Sequence, residues 1–305
     1  MKSIRIHSYG DSGEMQVEEA DRPKIGEGEI LVKVMAAGVN PVDWKIREGY
    51  LKQFLPKTFP LTLGQDLAGV VAEVGKNVSQ FKTGDEVFGF GAGAYAEYVA
   101  ARDSEIALKP KTVDFVIAAS IPTAGLTAWQ ALIDVAHVSS GQTVLIHGAA
   151  GGVGSFAVQI AKWKDARVVA TASADDAVYL KSLGVEQVID YRKERFEDRP
   201  VKADIVFDLI GGETLDRSYT VVKKGGIIVT TVGQPDKAKA RAADIRVTTM
   251  MVKRDGSELA QLSQLVDRGI VKPRVDQVLP LKEARQAQDL NQSGKTHGKI
   301  VLQVA

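Results

Sequence analysis

The chain has 305 residues, 45% of them hydrophobic and 25% charged, with 29 glycines and a formal net charge of +1. That length favours two domains or one large α/β unit with a substantial core, and the composition argues against disorder. Near-neutral charge without a long basic run makes nucleic acid a poor partner, and the absence of cysteine excludes disulfides, thiolate metal sites and cysteine nucleophiles. The opening residues, MKSIRIHSYGDSGEM, hold no apolar stretch of signal-peptide type, and no run approaches the roughly 18 apolar residues of a membrane span. A cytosolic protein without a membrane partner is the expectation.

Up to about residue 110 the sequence consists of short alternating or β-branched runs broken by glycine and proline. Examples are EILVKVMAAGV (29–39), LAGVVAEVG (67–75) and DEVFGFG (85–91). This pattern predicts a compact, mostly β domain. From Thr123 apolar strands alternate with amphipathic helical segments: TVLIHGA, FAVQIAKWK, ARVVATA, then a helix containing AVYLKSL. The series continues through QVIDY (187–191), DIVFDLIGG (204–212), GGIIVTTVG (225–233) and DIRVTTMMV (244–252), which predicts a doubly wound parallel sheet of six strands. A helix over SELAQLSQLVDRG, a segment RVDQVLPL, a helix over EARQAQDLNQS and a last strand KIVLQV return to the first domain. The expected division is 1–122 with 254–305 for the first domain and 123–253 for the second.

Between a predicted strand and a predicted helix lies TVLIHGAAGGVGSFAVQIAK, with Ala149, Gly151 and Gly154 in an A-x-G-x-x-G arrangement. A dinucleotide site needs a tight turn, backbone free of Cβ atoms near the pyrophosphate, and a helix N-terminus facing the anion. The run Ala149, Gly151, Gly152, Val153 and Gly154 meets those needs. The following strand ends in Thr171, Ala172 and Ser173, where an NAD-binding protein often carries an acid; small and hydroxyl side chains leave room for a 2′-phosphate, so NADPH is favoured over NADH. Ser173 has a second reading as a helix cap, and Asp175 and Asp176 add opposing negative charge nearby.

Several ordered segments together resemble the medium-chain dehydrogenase/reductase superfamily, and within it the zinc-independent quinone oxidoreductase and alkenal/enone reductase group. They are GVNPVDWKIREG (38–49), LGQDLAGVVAEVG (63–75), GDEVFGFGAGAYAEYV (84–99), IPTAGLTAWQAL (121–132), HGAAGGVG (147–154), VIDYR (188–192), DLIGG (208–212) and THGKIVL (296–302). The resemblance covers nearly the whole chain. It implies a GroES-like catalytic domain joined to a Rossmann domain, NADPH in the cleft between them, a small quinone or α,β-unsaturated carbonyl as substrate, and a homodimer. Zinc-dependent members carry Cys in the position of Asn40 and His-Glu in the positions of Gln65 and Asp66, so no metal is expected here. Residue by residue, the resemblance implies that Thr127 approaches the nicotinamide and that Thr231, Val232 and Gly233 run along its carboxamide. It likewise places Gly211 in the DLIGG loop, Tyr191 at the adenosine 2′-phosphate, and Lys299 near the cofactor. Where the family often has a lysine four residues after Ser173, this chain has Ala177, leaving Ser173, Tyr191 and Lys181 to hold the phosphate.

With hydride transfer belonging to the cofactor, the protein must supply position, a dry pocket and hydrogen-bond donors to the oxygen that gains charge. Asn40, Lys45, Tyr50 and Gln65 are the candidate catalytic groups, and Lys45 could instead bind cofactor. Asn40 before Pro41 also suits a turn, Trp44 reads as core, and Asp43 could simply pair with Lys45 or Arg47. His147 is expected to pack beside the glycine loop, and Met250 and Met251 to close the last parallel strand, chiefly as core. The rival to an enzyme is a non-catalytic NADPH-binding redox sensor or structural crystallin-like protein.

Overall fold

A computed structural model describes all 305 residues. In chain order it contains β1 (Lys2–Ile6), β2 (Gln16–Glu19), β3 (Glu29–Val39), α1 (Pro41–Arg47), β4 (Leu61–Thr62), β5 (Asp66–Val74), β6 (Glu86–Phe90), β7 (Tyr98–Arg102), β8 (Ile106–Leu108) and α2 (Phe115–Ala119). After α3 (Pro122–Trp129) come β9 (Thr143–His147), α4 (Gly152–Trp163), β10 (Arg167–Ala172), α5 (Ala177–Ser182), β11 (Gln187–Asp190) and β12 (Ala203–Asp208). Then follow α6 (Gly212–Ser218), β13 (Val222–Thr230), α7 (Lys237–Ala242), β14 (Arg246–Thr249), α8 (Gly256–Asp267), β15 (Val275–Pro280), α9 (Ala284–Gln292) and β16 (Lys299–Gln303). The chain divides into one unit of Met1–Thr123, Arg254–Gly269 and Pro273–Ala305 and a second of Ala124–Lys253 with Ile270–Lys272.

The first unit is built around β3, whose EILVKVMAAGV run is buried along almost its whole length. Strands with β-branched residues on both faces suit such a central place, and β3 pairs antiparallel with β5, β7 and β16. The sheet runs β15-β16-β3-β5-β6-β8, and a three-stranded sheet, β2-β1-β4, completes the unit. Ile30, Val32, Val34, Leu67, Val87, Ile300 and Leu302 form its core, which is the GroES-like arrangement expected.

The second unit is a parallel six-stranded sheet in the order β11-β10-β9-β12-β13-β14, the doubly wound pattern in which strand order reverses beside the first strand. Each strand is a short apolar run, and α4 lays an eight-residue buried face against it, from Gly154 to Ala161. The register aligns the strand ends: His147 with Thr171 and with Asp208, Ala172 with Asp190, and Asp208 with Thr230. One expectation fails here. The last strand stops at Thr249, opposite Thr230 where β13 stops, so the chain leaves the sheet before the methionines; Met250 is half-buried and Met251 is 87% exposed. No helix is long and apolar enough to cross a membrane.

Candidate functional site

In the second unit, five loops leave the carboxyl ends of aligned parallel strands, which is where open α/β sheets bind ligands. The first follows β9. Gly148 has φ +72°, and a Cβ on Gly154 would lie 2.2 Å from the Gly148 carbonyl oxygen, so only glycine lets α4 start this close beneath the turn. Gly151 caps α4 without a side-chain acceptor, and Gly151, Gly152 and Val153 are partly open, so the first free N–H groups of a 12-residue helix face outward. Ala149 is buried in the turn. A cradle free of Cβ atoms at a helix N-terminus fits a pyrophosphate.

His147, directly before this turn, is fully buried. Its Nδ1 lies 3.0 Å from Thr171 Oγ1 and its Nε2 3.0 Å from Ser218 Oγ. Burial, followed among the lowering causes by the Arg217 guanidinium, pushes its pKa down to about 4 despite Asp208 and Glu197, so it is a neutral, packed imidazole near pH 7. The loops after β12 and β13 are tied by one carboxylate. Asp208 accepts from the backbone N–H groups of Ile210 (3.1 Å) and Gly211 (3.0 Å) and from Thr230 Oγ1 (2.9 Å). Thr230 Oγ1 in turn takes the Val232 N–H at 3.1 Å, and Thr231 N–H donates to the Asp208 carbonyl at 3.2 Å. Gly211 and Gly233 hold φ of +76° and +75°. Asp208 and Thr230 thus set the course of Gly211 and of Thr231, Val232 and Gly233, and neither was singled out from sequence. Thr127 lies buried in α3.

At the ends of β10 and β11, Ser173 is buried and its hydroxyl donates to Asp176 at 3.0 Å. Its side chain does not cap the following turn through the backbone. Tyr191 is 60% exposed beside it, its N–H bonded to the Ala172 carbonyl. Arg192, missed in the sequence, carries its guanidinium 5.6 Å from the Tyr191 ring and 3.7 Å from Asp175. The YR pair just after a strand, next to a hydroxyl, was the available signal. Lys181 lies exposed on α5.

In the first unit, Asn40 is extended at φ −128° and precedes Pro41, so it ends β3 and opens α1, with its N–H bonded to Asp43 Oδ2 at 2.8 Å. Asp43 pairs with neither Lys45 nor Arg47. It faces inward and also accepts from the Tyr95 hydroxyl at 2.9 Å, while Arg47 reaches Gln288 at 3.0 Å and Glu48 at 2.6 Å. Lys299 donates to the Val39 carbonyl at 2.7 Å and to Asn40 Oδ1. Asp66, at the start of β5, accepts from Thr123 Oγ1 at 2.5 Å and Thr123 N–H at 3.1 Å. Burial drives the Asp43 carboxyl up to about 7 and raises Asp66, opposed chiefly by hydrogen bonding at Asp43 and by the Lys299 charge at Asp66. Burial lowers the Lys299 ammonium against the pull of both carboxylates.

Asn40 and Lys299 are therefore closed away from solvent, at 2% and 5% exposure, and differ from the expectation that they face substrate and cofactor: Lys299 is bonded to Asn40 Oδ1, and Asn40 Nδ2 is left buried without a partner. Lys45 and Tyr50 do gather outside. Lys45 Nζ lies 5.5 Å from the Trp44 ring, Tyr50 meets that ring edge-on at 5.9 Å, and Trp44 is half-buried rather than core. Gln65 is half-buried, and its Oε1 accepts from Arg254 Nη2 at 2.5 Å. Because a guanidinium only donates, that bond fixes the amide orientation and leaves Gln65 Nε2 available as a donor. Gly64 beside it has φ +89°, and a Cβ there would lie 2.2 Å from the Tyr95 ring.

Residues 26–111 match the alcohol dehydrogenase GroES-like domain, and residues 183–302 match a family described as zinc-binding dehydrogenase. The chain is 37% identical over 318 residues to 2-methylene-furan-3-one reductase of Solanum lycopersicum, covering 98% of this chain and 79% of that protein. It is 36% identical to the chloroplastic NADPH-dependent alkenal/one oxidoreductase of Arabidopsis thaliana, covering 99% of this chain and 80% of that one. The solved quinone oxidoreductase of Escherichia coli complexed with NADPH is 29% identical with a TM-score of 0.91, and both chains are covered in full. The chain belongs to the medium-chain dehydrogenase/reductase superfamily, in its quinone oxidoreductase and alkenal/enone reductase branch.

Proposed function

We propose that this protein is a zinc-independent, NADPH-dependent oxidoreductase that reduces a small quinone or the activated C=C bond of an enone or alkenal. The observation that carries the reading is the row of aligned loops in the second unit, with the glycine turn at its centre. Similarity to reductases of alkenals and of 2-methylene-furan-3-one supports the substrate class, and similarity to a quinone oxidoreductase complexed with NADPH supports the cofactor. We read the chain as a homodimer, on the family resemblance.

Gly152 and Val153 would receive the pyrophosphate through backbone N–H groups, beside Gly151, whose own N–H is held by the Gly148 carbonyl at 3.2 Å. Arg192 and Tyr191 would take the 2′-phosphate, with Asp175 giving up Arg192 to it and Ser173 kept in place by Asp176. Gly211 and Thr231 to Gly233, held by Asp208, would line the nicotinamide end together with Thr127. The bound cofactor supplies the hydride. In the first unit, Gln65 Nε2 and the Lys45 ammonium are the donors for the substrate oxygen as it gains charge, and Tyr50 offers a hydroxyl for its proton. Asn40, Asp43 and Lys299 position α1 beneath Lys45 rather than touch substrate.

A zinc-free reaction is supported by the donor chemistry: there is no cysteine, Asn40 Oδ1 is taken by Lys299, and His147 is enclosed by hydroxyls. Dialysis against a chelator is expected to leave turnover unchanged. The direct test follows NADPH and NADH oxidation with matched panels of quinones and α,β-unsaturated carbonyls. Turnover preferring NADPH supports the reading; tight NADPH binding with no turnover on either panel would overturn it in favour of a redox sensor.

A further inference from the structure

His147 is the buried titratable group that the proposed chemistry leaves idle, and three segments of the second unit's loop row meet on it. It ends β9, directly before the Gly148 turn, and stands in register with Thr171 of β10 and Asp208 of β12. Its ring is closed from solvent, with the Phe196 ring against it at 4.6 Å. Nδ1 faces the Thr171 hydroxyl, and Nε2 faces the Ser218 hydroxyl at the last position of α6, each at 3.0 Å. Ser218 has one hydroxyl hydrogen to give, and it is spent on the Thr214 carbonyl at 2.7 Å. Nε2 must therefore donate to Ser218. Burial keeps the ring neutral near pH 7, so Nδ1 carries no hydrogen and accepts one from Thr171. The donors run one way, from Thr171 through the imidazole and Ser218 to Thr214.

Each end of that chain belongs to a different part of the proposed cofactor site. Thr171 also accepts the Ala149 N–H on its carbonyl at 3.3 Å, and two residues further on stands Ser173. Ser218 closes α6, the helix that Gly211 opens at φ +76°. We propose that His147 is a positioning residue. As its Nε2–H tautomer it ties the glycine turn through Thr171 to the strand end that would meet the adenosine 2′-phosphate, and through Ser218 to the helix that sets Gly211 at the nicotinamide end. The inference rests on the reading of the second unit as the NADPH site. A neutral imidazole suits this place because it joins a donor to an acceptor across a rigid ring and brings no charge whose burial must be offset.

Two amides divide the work of the ring. An asparagine oxygen can replace Nδ1 as acceptor for Thr171 and leaves Ser218 without its donor; a glutamine nitrogen can replace Nε2 as donor to Ser218 and leaves Thr171 without its acceptor. His147→Gln is expected to weaken binding of adenosine 2′,5′-bisphosphate about tenfold by calorimetry and to raise the KM for NADPH in step, with kcat changed less. His147→Asn is expected to hold the bisphosphate affinity within about twofold and to lower kcat about tenfold with a quinone or enone. Thr171→Val should reproduce the first pattern and Ser218→Ala the second, so the test survives a His147 variant that does not fold. Nitrogen-15 shifts of the wild-type ring, assigned by their loss in either His147 variant, should show the hydrogen on Nε2. A hydrogen on Nδ1 overturns the inference. So do variants in which bisphosphate affinity and kcat fall together with thermal stability, because His147 would then only brace the core. Wild-type protein that binds neither NADPH nor the bisphosphate removes the reading of the second unit itself, and this inference with it.

Discussion

Beneath α1 of the first unit, two carboxylates and an ammonium share a space closed to water, whereas beside the glycine turn of the second unit an imidazole sits uncharged between two hydroxyls. Both networks lie where the chain leaves a central strand, and both hold a loop that the proposed chemistry needs. They differ in what burial does to the groups. In the first, Lys299 and the two carboxylates sustain each other's charge while Asp66 and Asp43 oppose one another, so removing the lysine strands the acids; in the second, burial has already discharged His147.

Lys299→Met breaks the first network most severely. It leaves Asp66 buried without its cation and should lower stability by about 3–5 kcal/mol, read from the urea midpoint of the first unit. Adding Asp66→Asn should recover part of that loss. A double variant no better than the single would show that the two do not act as a pair.

The pH dependences should run in opposite directions. Asp43 has a folded pKa raised from 3.8 to about 7, so its contribution is fully present below about pH 3.8 and is lost as pH rises through 7, at most about 4 kcal/mol. His147 has a folded pKa lowered from 6.5 to about 4, so its contribution is present above pH 6.5 and is lost as pH falls towards 4, about 3 kcal/mol. Across that window the two partly cancel in the wild type. Asp43→Asn should leave stability that falls on acidification, and His147→Gln stability that falls as pH rises. Identical pH profiles for the two variants would contradict the assignment.

The smallest effect concerns the cofactor. Arg192→Gln should raise the KM for NADPH about tenfold and leave that for NADH nearly unchanged, since only the 2′-phosphate meets the guanidinium. An equal shift for both cofactors would mean that Arg192 only braces Tyr191.

Much of this molecule can be read from its sequence because the relevant signals are local. The β3 run, the alternating strands and helices and the glycine turn each occupy a few consecutive residues, and the two-unit architecture follows from them. The site is less legible because its partners come from distant segments. Nothing periodic connects Lys299 to Asn40, or Arg254 to Gln65, so Lys299 reads as a cofactor ligand until its ammonium is found bonded inside the fold. Asp208 was within reach: an aspartate ending a strand before Gly211 and Gly212 is the pattern of a side chain bonding its own following backbone. Met251 was misplaced for a subtler reason, since the strand ends where its neighbour β13 ends and not where apolar residues stop.

The most direct test of the account is a turnover with NADPH dideuterated at C4 of the nicotinamide and an enone, followed by location of the label in the product. The account predicts deuterium at the carbon β to the carbonyl, with the second hydrogen from solvent. Product free of deuterium, or bound NADPH that reduces neither the enone nor a quinone, would contradict it.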